Sequence, residues 1–453
     1  MTFILILLGT IAIVGIGFLV IIGFNLLKSD SLITRLSYSW GLGVGLLVMQ
    51  MTLYSFAFGG GWTNYELLTP WVIFAIIIFI RQKRNLKIPK IPIQLNKVDW
   101  FFTLLIILLI IFVGFEAVLR PVPSWDGWSQ WLLRSKIFYI QHFFTSEAFT
   151  YPATDYPVVL PLLGTFGFIM MNGINDTYVL FLFFMFYLAL AGIFFSTSKK
   201  LFGQTPALIL TFLLLSLQNL IRHGGFLEVG DADLALAYYI FASTILLTNF
   251  IKTKNQQLLL LLSFFLAFTS QTKNDGMPFV IFVFLLLLAM IIKWKKFYYL
   301  VRLLPLILIF MLWELYKIIS HVNTDIVFNS TTQFHWDQIP GIFWAMCKEF
   351  FNFQNWSILW IVFLITVFFS LRYIKHVKIF LAVFLVQWLS YFAVFLIDPR
   401  APIAHISSII DRLYIQIAPL AVLIIGILIS YHLPEFKKIP VFKKILIYFK
   451  YNE

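Results

Sequence analysis

Residues 101–139 read "FFTLLIILLIIFVGFEAVLRPVPSWDGWSQWLLRSKIFY". The first half is an apolar run broken by one carboxylate, Glu116. With its flanks it spans 98–118, and about 20 apolar residues cross a bilayer as a helix. The second half sets a lone acid, Asp126, among Trp125, Trp128 and Trp131, with Arg120, Arg134 and Lys136 around it. The run decides the fold class. The acid beside it raises the question of function.

The rest of the chain repeats the first half. Of 453 residues, 61% are hydrophobic and only 12% charged, where a soluble domain carries about 25% charged residues. Backbone polar groups at membrane depth must be satisfied internally, so such runs form helices or a closed barrel. The runs are continuous and do not alternate, which excludes a barrel. The reading is an all-α polytopic membrane protein. Thirteen crossings are expected, near 3–27, 37–58, 64–80, 98–118, 177–197, 203–221, 234–251, 257–270, 277–292, 300–320, 356–371, 379–397 and 412–431. The first lacks a basic leader and a small-residue cleavage site, so it is read as a retained helix. The single cysteine, Cys347, excludes an internal disulfide and a cysteine-cluster metal site.

The net charge of +13 is assigned to membrane-facing basic loops and not to nucleic acid. Basic connections follow the crossings alternately: Lys28 to Arg35, 81–97, Lys199 and Lys200, Lys252 and Lys254, 293–296, 372–378, and the tail from Lys437. The positive-inside bias places them all in the cytoplasm. That gives an outer N-terminus, a cytoplasmic C-terminus and a juxtamembrane or re-entrant helix at 157–174 on the outer side. Three units follow: N-terminal membrane helices (1–97), a membrane core (98–431) and a basic tail (432–453).

The outer loops then collect most of the acids. In 124–139, Trp125, Trp128, Leu132 and Tyr139 recur near helical spacing, which suits an amphipathic helix in the interface. Asp126, Gln130 and Arg134 share its other face at i,i+4 spacing. Asp126 is either a helix-start charge in an anchor or a carboxylate presented to a head group. Asp155 follows, in a loop bent by Pro152, Pro157 and Pro161. The second loop, "RHGGFLEVGDADLALAYY", holds Glu228, Asp231 and Asp233 within six residues. Capping accounts for one acid; three repel one another unless a divalent cation or Arg222 relieves them. His223 is a weaker candidate there, an ordinary surface imidazole on the plainer reading. In "SQTKNDGMPF", Lys273 either pairs with Asp275 or meets a lipid phosphate. In "DPRAPIAHISSIIDRLYIQIAP", Arg412 starts the last crossing and either neutralises Asp411 or holds a phosphate; His405 is a further candidate.

These pieces, "WDGWSQWLLRSKIF" with "TDYPVVLPLL", "EVGDADLALA", "TKNDG" and "HISSIIDRLYIQIAP", stand in an order that resembles the GT-C superfamily of membrane glycosyltransferases, which includes protein O-mannosyltransferases and lipid A aminoarabinose transferases. The resemblance covers roughly Trp100 to Pro419, and the three preceding helices are an addition to the usual core. It implies a GT-C-like helical bundle and a sugar donor on a polyprenyl phosphate, loaded from the outer leaflet of the cytoplasmic membrane. Asp126 would be the general base or acceptor-positioning residue. Asp233, or alternatively Asp231, would bind metal or substrate, and Lys273 and Arg412 would neutralise the donor phosphate. Many relatives carry Glu at the position of Asp275. Mg²⁺ or Mn²⁺ suits hard oxygen ligands, and metal dependence varies among members. The acceptor is open, since no large outer domain is evident. Three other readings compete: a secondary transporter, for which the i,i+3 pair Glu314 and Lys317 is the best feature, a lipid-linked glycan ligase or polymerase, and a non-catalytic relative that binds lipid. Transporters gather ionisable groups near the midplane in repeated halves, whereas these gather at one face.

Overall fold

A computed structural model describes residues 1–82, 95–150, 155–322 and 334–436. The basic loop at 83–94, Pro152 and the tail from Lys437 lie outside the described residues. All regular structure among the described residues is helical. The chain opens with α1 (Thr2–Gly23), α2 (Leu32–Phe58), α3 (Asn64–Gln82) and α4 (Lys97–Glu116). A π-helical turn, Gly127–Trp131, leads into α5 (Leu132–Gln141), and α6 (Val159–Met171) follows. Next come α7 (Leu180–Phe202), α8 (Gln204–Leu215), α9 (Gln218–Gly225), α10 (Asp233–Thr253), α11 (Gln256–Ser270), α12 (Met277–Trp294) and α13 (Leu304–Ile319). The chain continues with α14 (Ile339–Glu349), α15 (Phe353–Trp356), α16 (Leu359–Phe369), α17 (Lys378–Ile397), α18 (Pro402–Ile415) and α19 (Ala418–Phe436).

Among the described residues, nine helices are long and apolar enough to cross a membrane, and eleven if each of two bent pairs counts as one span. The protein is a helical membrane protein. Each of the thirteen expected crossings coincides with a helix, but four differ from the expectation. α11 and α16 have 15 and 11 residues, and a helix rising 1.5 Å per residue needs about 20 residues for the apolar core. α8 and α9 meet at 71°, and α18 and α19 at 54°. The second bend has a clear cause. Pro419 has no N–H and its ring clashes with the carbonyl four residues back, so one helix cannot run through it. Arg412 therefore lies near the end of α18 instead of starting the last span.

α6 is 13 residues long and buried along its whole length. It is too short to cross, as expected of a juxtamembrane or re-entrant helix, and it packs inside the protein. α1 and α2 are joined by an unusually close backbone contact: a Cβ on Gly43 would stand 1.9 Å from the carbonyl oxygen of Ile13. Small residues allow such approach where lipid supplies no hydrophobic drive between helices. α2 is in turn fixed to α10. The Tyr238 hydroxyl donates to the Ser37 carbonyl (2.7 Å) and accepts from the Gly41 N–H (3.1 Å). The Tyr239 hydroxyl donates to the Gly41 carbonyl (2.9 Å). α10 is buried nearly throughout. Its first residue, Asp233, marks an acidic end; its last turn, with Lys252, marks a basic end.

Candidate active site

Asp233 is wholly buried at the first turn of α10. An unpaired buried carboxylate would cost several kcal/mol, and the structure pairs it three times. Lys273 Nζ donates to Oδ1 at 2.8 Å and Gln416 Nε2 at 3.0 Å. Arg412 Nε and Nη2 both donate to Oδ2 at 3.2 Å. Each cation then reaches further. Lys273 also contacts Asp275 Oδ2 at 2.8 Å. Arg412 Nη2 donates to Asp126 Oδ2 and lies 3.9 Å from Asp231 Oδ2. Four chain segments, far apart in sequence, thus share one ionic network of four carboxylates and two cations. Of the two readings open for Lys273, the ion pair with Asp275 is present, but Asp233 shares it. Arg412's guanidinium does not neutralise Asp411, which is held instead by Arg222 at 3.4 Å.

The π-helical turn shapes the Asp126 side of this network. Ser124 Oγ accepts from the Gly127 N–H (3.1 Å) and donates to Asp231 Oδ1 (2.6 Å). A Cβ at Gly127 would fall 2.4 Å from Ser124 Oγ, so the turn closes only around glycine. A π turn is wider than an α turn and is frequent at functional sites. Its extra residue rotates the following helix, and this corrects the expected faces. Trp125 and Trp128 are exposed and in edge contact, with ring centroids 4.6 Å apart, while Leu132 is buried. Asp126 and Gln130 line a cavity, but Arg134 turns away from it. Arg134 is fully buried, donates from Nε to the Ala148 carbonyl (3.1 Å) and lies over the Phe149 ring. Burial lowers its pKa to about 10, partly opposed by Tyr156 and Asp155.

The cavity has a volume of about 430 Å³. Asp126, Asp155, Tyr156, Lys273, Asp275 and Arg412 supply polar groups on its wall. Val394, Phe395, Ile409 and Leu413 supply an apolar side. His405 also lines it, with Nδ1 2.6 Å from Asp398 Oδ2. Asp398 is buried; burial alone would raise its pKa, but His405 and Arg400 overcome this and hold it low.

Two electrostatic consequences follow. Burial pushes the Asp231 carboxyl up to about 7, against the opposing pull of Arg412 and the Ser124 hydrogen bond. Burial pushes the Lys273 ammonium down, but Asp233 and Asp275 outweigh it and hold it above the ordinary lysine range. Glu228 does not join the network. Arg222 pairs with it, and burial still raises its pKa.

His223, Asp231 and Asp233 offer three ligand atoms within 4.8 Å of one another. Both ring nitrogens of buried His223 lack a hydrogen-bond partner, and Asp231 has an oxygen beyond hydrogen-bond reach of Arg412. Asp233 is already satisfied by Lys273, Arg412 and Gln416. This set therefore fits a divalent cation through His223 and Asp231 first. An imidazole among the ligands favours Mn²⁺ over Mg²⁺.

Several participants escaped the sequence reading. Gln416 bridges Asp233 and Asp275 Oδ2 (3.4 Å), and its Oε1 accepts from the Tyr391 hydroxyl (2.8 Å). Gln387, Ser390 and Tyr391 are polar residues on one face of an apolar helix, a signal of a functional or packed polar face. Ser124 carried no signal of its own. Comparison of the chain with protein-family models, characterised proteins and solved structures finds no match.

Proposed function

We propose that the protein is an integral membrane glycosyltransferase that moves a sugar from a polyprenyl-phosphate donor to an acceptor hydroxyl at the outer face of the cytoplasmic membrane. In this reading the acidic end faces outward, the N-terminus is outside, the C-terminus is cytoplasmic, and α11 and α16 complete thirteen crossings in a GT-C-like bundle.

The observation that carries the proposal is that Asp126, Lys273 and Arg412 meet on the wall of one cavity that also has an apolar side. Transfer breaks the bond between the sugar's C1 and the phosphate oxygen, and the electron pair leaves on the phosphate. Lys273 and Arg412 stabilise that charge by preorganised electrostatics. The acceptor oxygen forms the new bond to C1, and its proton passes to Asp126, a base contribution of about 10²–10⁴-fold. Arg412 orients Asp126 through Oδ2, so one residue links base and leaving group. The apolar wall accommodates the lipid beside the phosphate. A divalent cation held by His223 and Asp231, neither of which lines the cavity, would add positive charge to the network that faces the phosphate. The test is transfer or donor hydrolysis by purified protein with a polyprenyl-phosphate sugar. Asp126→Asn and Asp233→Asn should each abolish it while the protein stays folded; full activity in both would overturn the assignment.

A further inference from the structure

A second cavity, of about 480 Å³, lies at the basic end, where α2, α7, α10, α17 and α19 converge. α10 has 21 residues, so at 1.5 Å per residue its ends stand roughly 30 Å apart. The first cavity is lined by Lys273 and Arg412, the partners of Asp233, and the second by Lys252, so the two are separated by about the thickness of a bilayer core. Nothing in the proposed transfer chemistry uses the second.

Its wall is built for an anion. Lys200, Lys252, Lys375 and Lys378 line it, against a single carboxylate, Asp30. Asp30 is paired with Lys200. Among the described residues, Lys252, Lys375 and Lys378 have no carboxylate partner. Ser196 is 93% buried on the same wall at 7% exposure, and its Oγ has no hydrogen-bond partner among the described residues. A buried hydroxyl left unpaired is costly unless something occupies the space it faces. Asn249 adds a side-chain amide to the same wall. The remaining wall is apolar and aromatic: Leu246, Phe380 and Ile427, with Tyr431 stacked on His376 at 4.2 Å. A cationic rim with a buried hydroxyl and an apolar lining matches a phosphate that carries acyl chains. Basic pockets between membrane helices hold anionic head groups in this way.

We propose that this cavity binds the head group of an anionic phospholipid, with Lys252, Lys375 and Lys378 on the phosphate and Ser196 as a hydrogen-bond donor to it. The site is independent of the transferase reading and stands whether or not the protein transfers sugar.

The full chain in detergent is titrated with phosphatidylglycerol and bound lipid is counted by native mass spectrometry. Wild type should retain phosphatidylglycerol about 10²-fold better than Lys252→Gln/Lys375→Gln/Lys378→Gln, at about 1 kcal/mol for each of the three basic residues near an anionic lipid. A control, Lys293→Gln/Lys295→Gln/Lys296→Gln, removes the same number of charges outside the cavity and should bind as wild type. Ser196→Leu fills the cavity without changing charge and should also lose retention. Phosphatidylcholine should bind equally to all four. Equal loss in both lysine triples would reduce the effect to general surface charge and overturn the proposal. Displacement by millimolar inorganic phosphate would assign the cavity to free phosphate and overturn the lipid. Circular dichroism and elution volume establish that each variant is folded.

Discussion

Lys273 Nζ stands 2.8 Å from Asp233 Oδ1, and the carboxylate it neutralises is wholly buried. Arg412 holds the opposite oxygen of the same carboxylate. Asp233 is thereby the centre of the acidic end, clamped by one cation from the α11–α12 connection and one from α18, remote in sequence.

Removing one clamp leaves a buried charge without its nearest partner. Lys273→Met should destabilise the protein by about 3–5 kcal/mol, the usual cost of breaking a buried pair from one side. Lys273→Met/Asp233→Asn should recover a large part of that loss, because the wholly buried carboxylate is neutralised; Asp275, which also loses Lys273, is partly exposed and costs less. Thermal unfolding in detergent measures both. An unchanged midpoint in Lys273→Met would mean that Asp233 is not buried against it.

Asp231 makes stability depend on pH. Its carboxyl is raised from 3.8 to about 7, chiefly by burial. Between those values the folded protein keeps a proton that the unfolded chain has released. The contribution of this group is therefore complete below pH about 4 and lost as pH rises through about 7. The melting temperature of Asp231→Asn, taken relative to wild type, should climb between pH about 4 and about 7 and level off above. Mn²⁺ should raise the wild-type midpoint more at the higher pH, where Asp231 is ionised, and should not do so in the variant. A flat difference across that range would place Asp231 in contact with water.

Arg412 is not replaceable by another cation. Its planar fork serves Asp126 and Asp233 at once and reaches toward Asp231, whereas lysine offers one compact charge. Arg412→Lys should keep the fold and lower transfer by about 10²-fold, a typical loss for one preorganised electrostatic group. Near-normal kcat in that variant would separate Arg412 from the chemistry.

The acids were visible in the sequence because ionisable residues at the ends of long apolar runs are conspicuous. Asp126, Asp231, Asp233, Lys273 and Arg412 were all singled out, and the structure gathers them. Their pairing was not visible. Arg222 lies six residues from Glu228 and 189 from Asp411, and local spacing suggests only the first partner. The destination of Arg134 was hidden by the π turn, since i,i+4 spacing presumes an unbroken α-helix. Helix existence was legible from composition. The two bends were not, although Pro419 marked one of them. Gln416 resembled any polar residue beside a helix break; only tertiary contact makes it a bridge between Asp233 and Asp275.

The α1–α2 contact gives a prediction remote from the site. A Cβ on Gly43 would meet the Ile13 carbonyl at 1.9 Å, a backbone group that cannot turn aside as a side chain would. Gly43→Ala must force the helices apart, and overpacking of this kind costs about 1–3 kcal/mol. The unfolding midpoint should fall. Gly15→Ala is the control, because a Cβ there meets nothing within 4 Å. Equal midpoints for the two variants would remove the close packing.

The orientation of the bundle is tested by labelling from one side of sealed vesicles. Trp125 is exposed at the acidic end, and Lys295 is the exposed C-cap of α12 at the basic end. With Cys347 replaced by serine, Trp125→Cys and Lys295→Cys each carry one thiol. A membrane-impermeant maleimide should label Trp125→Cys in intact cells stripped of their outer barriers and leave Lys295→Cys untouched. Lys295→Cys should react only after the vesicles are opened or inverted. The basic loops at the Lys295 end set this expectation through the positive-inside bias. The acidic cavity and the lysine-lined cavity lie at opposite ends of α10, so one pair of labels reports on both. Labelling of the two thiols from the same side would overturn the bundle's passage through the membrane. Labelling of Lys295→Cys alone from outside would invert it and move Asp126 away from an outer-leaflet donor.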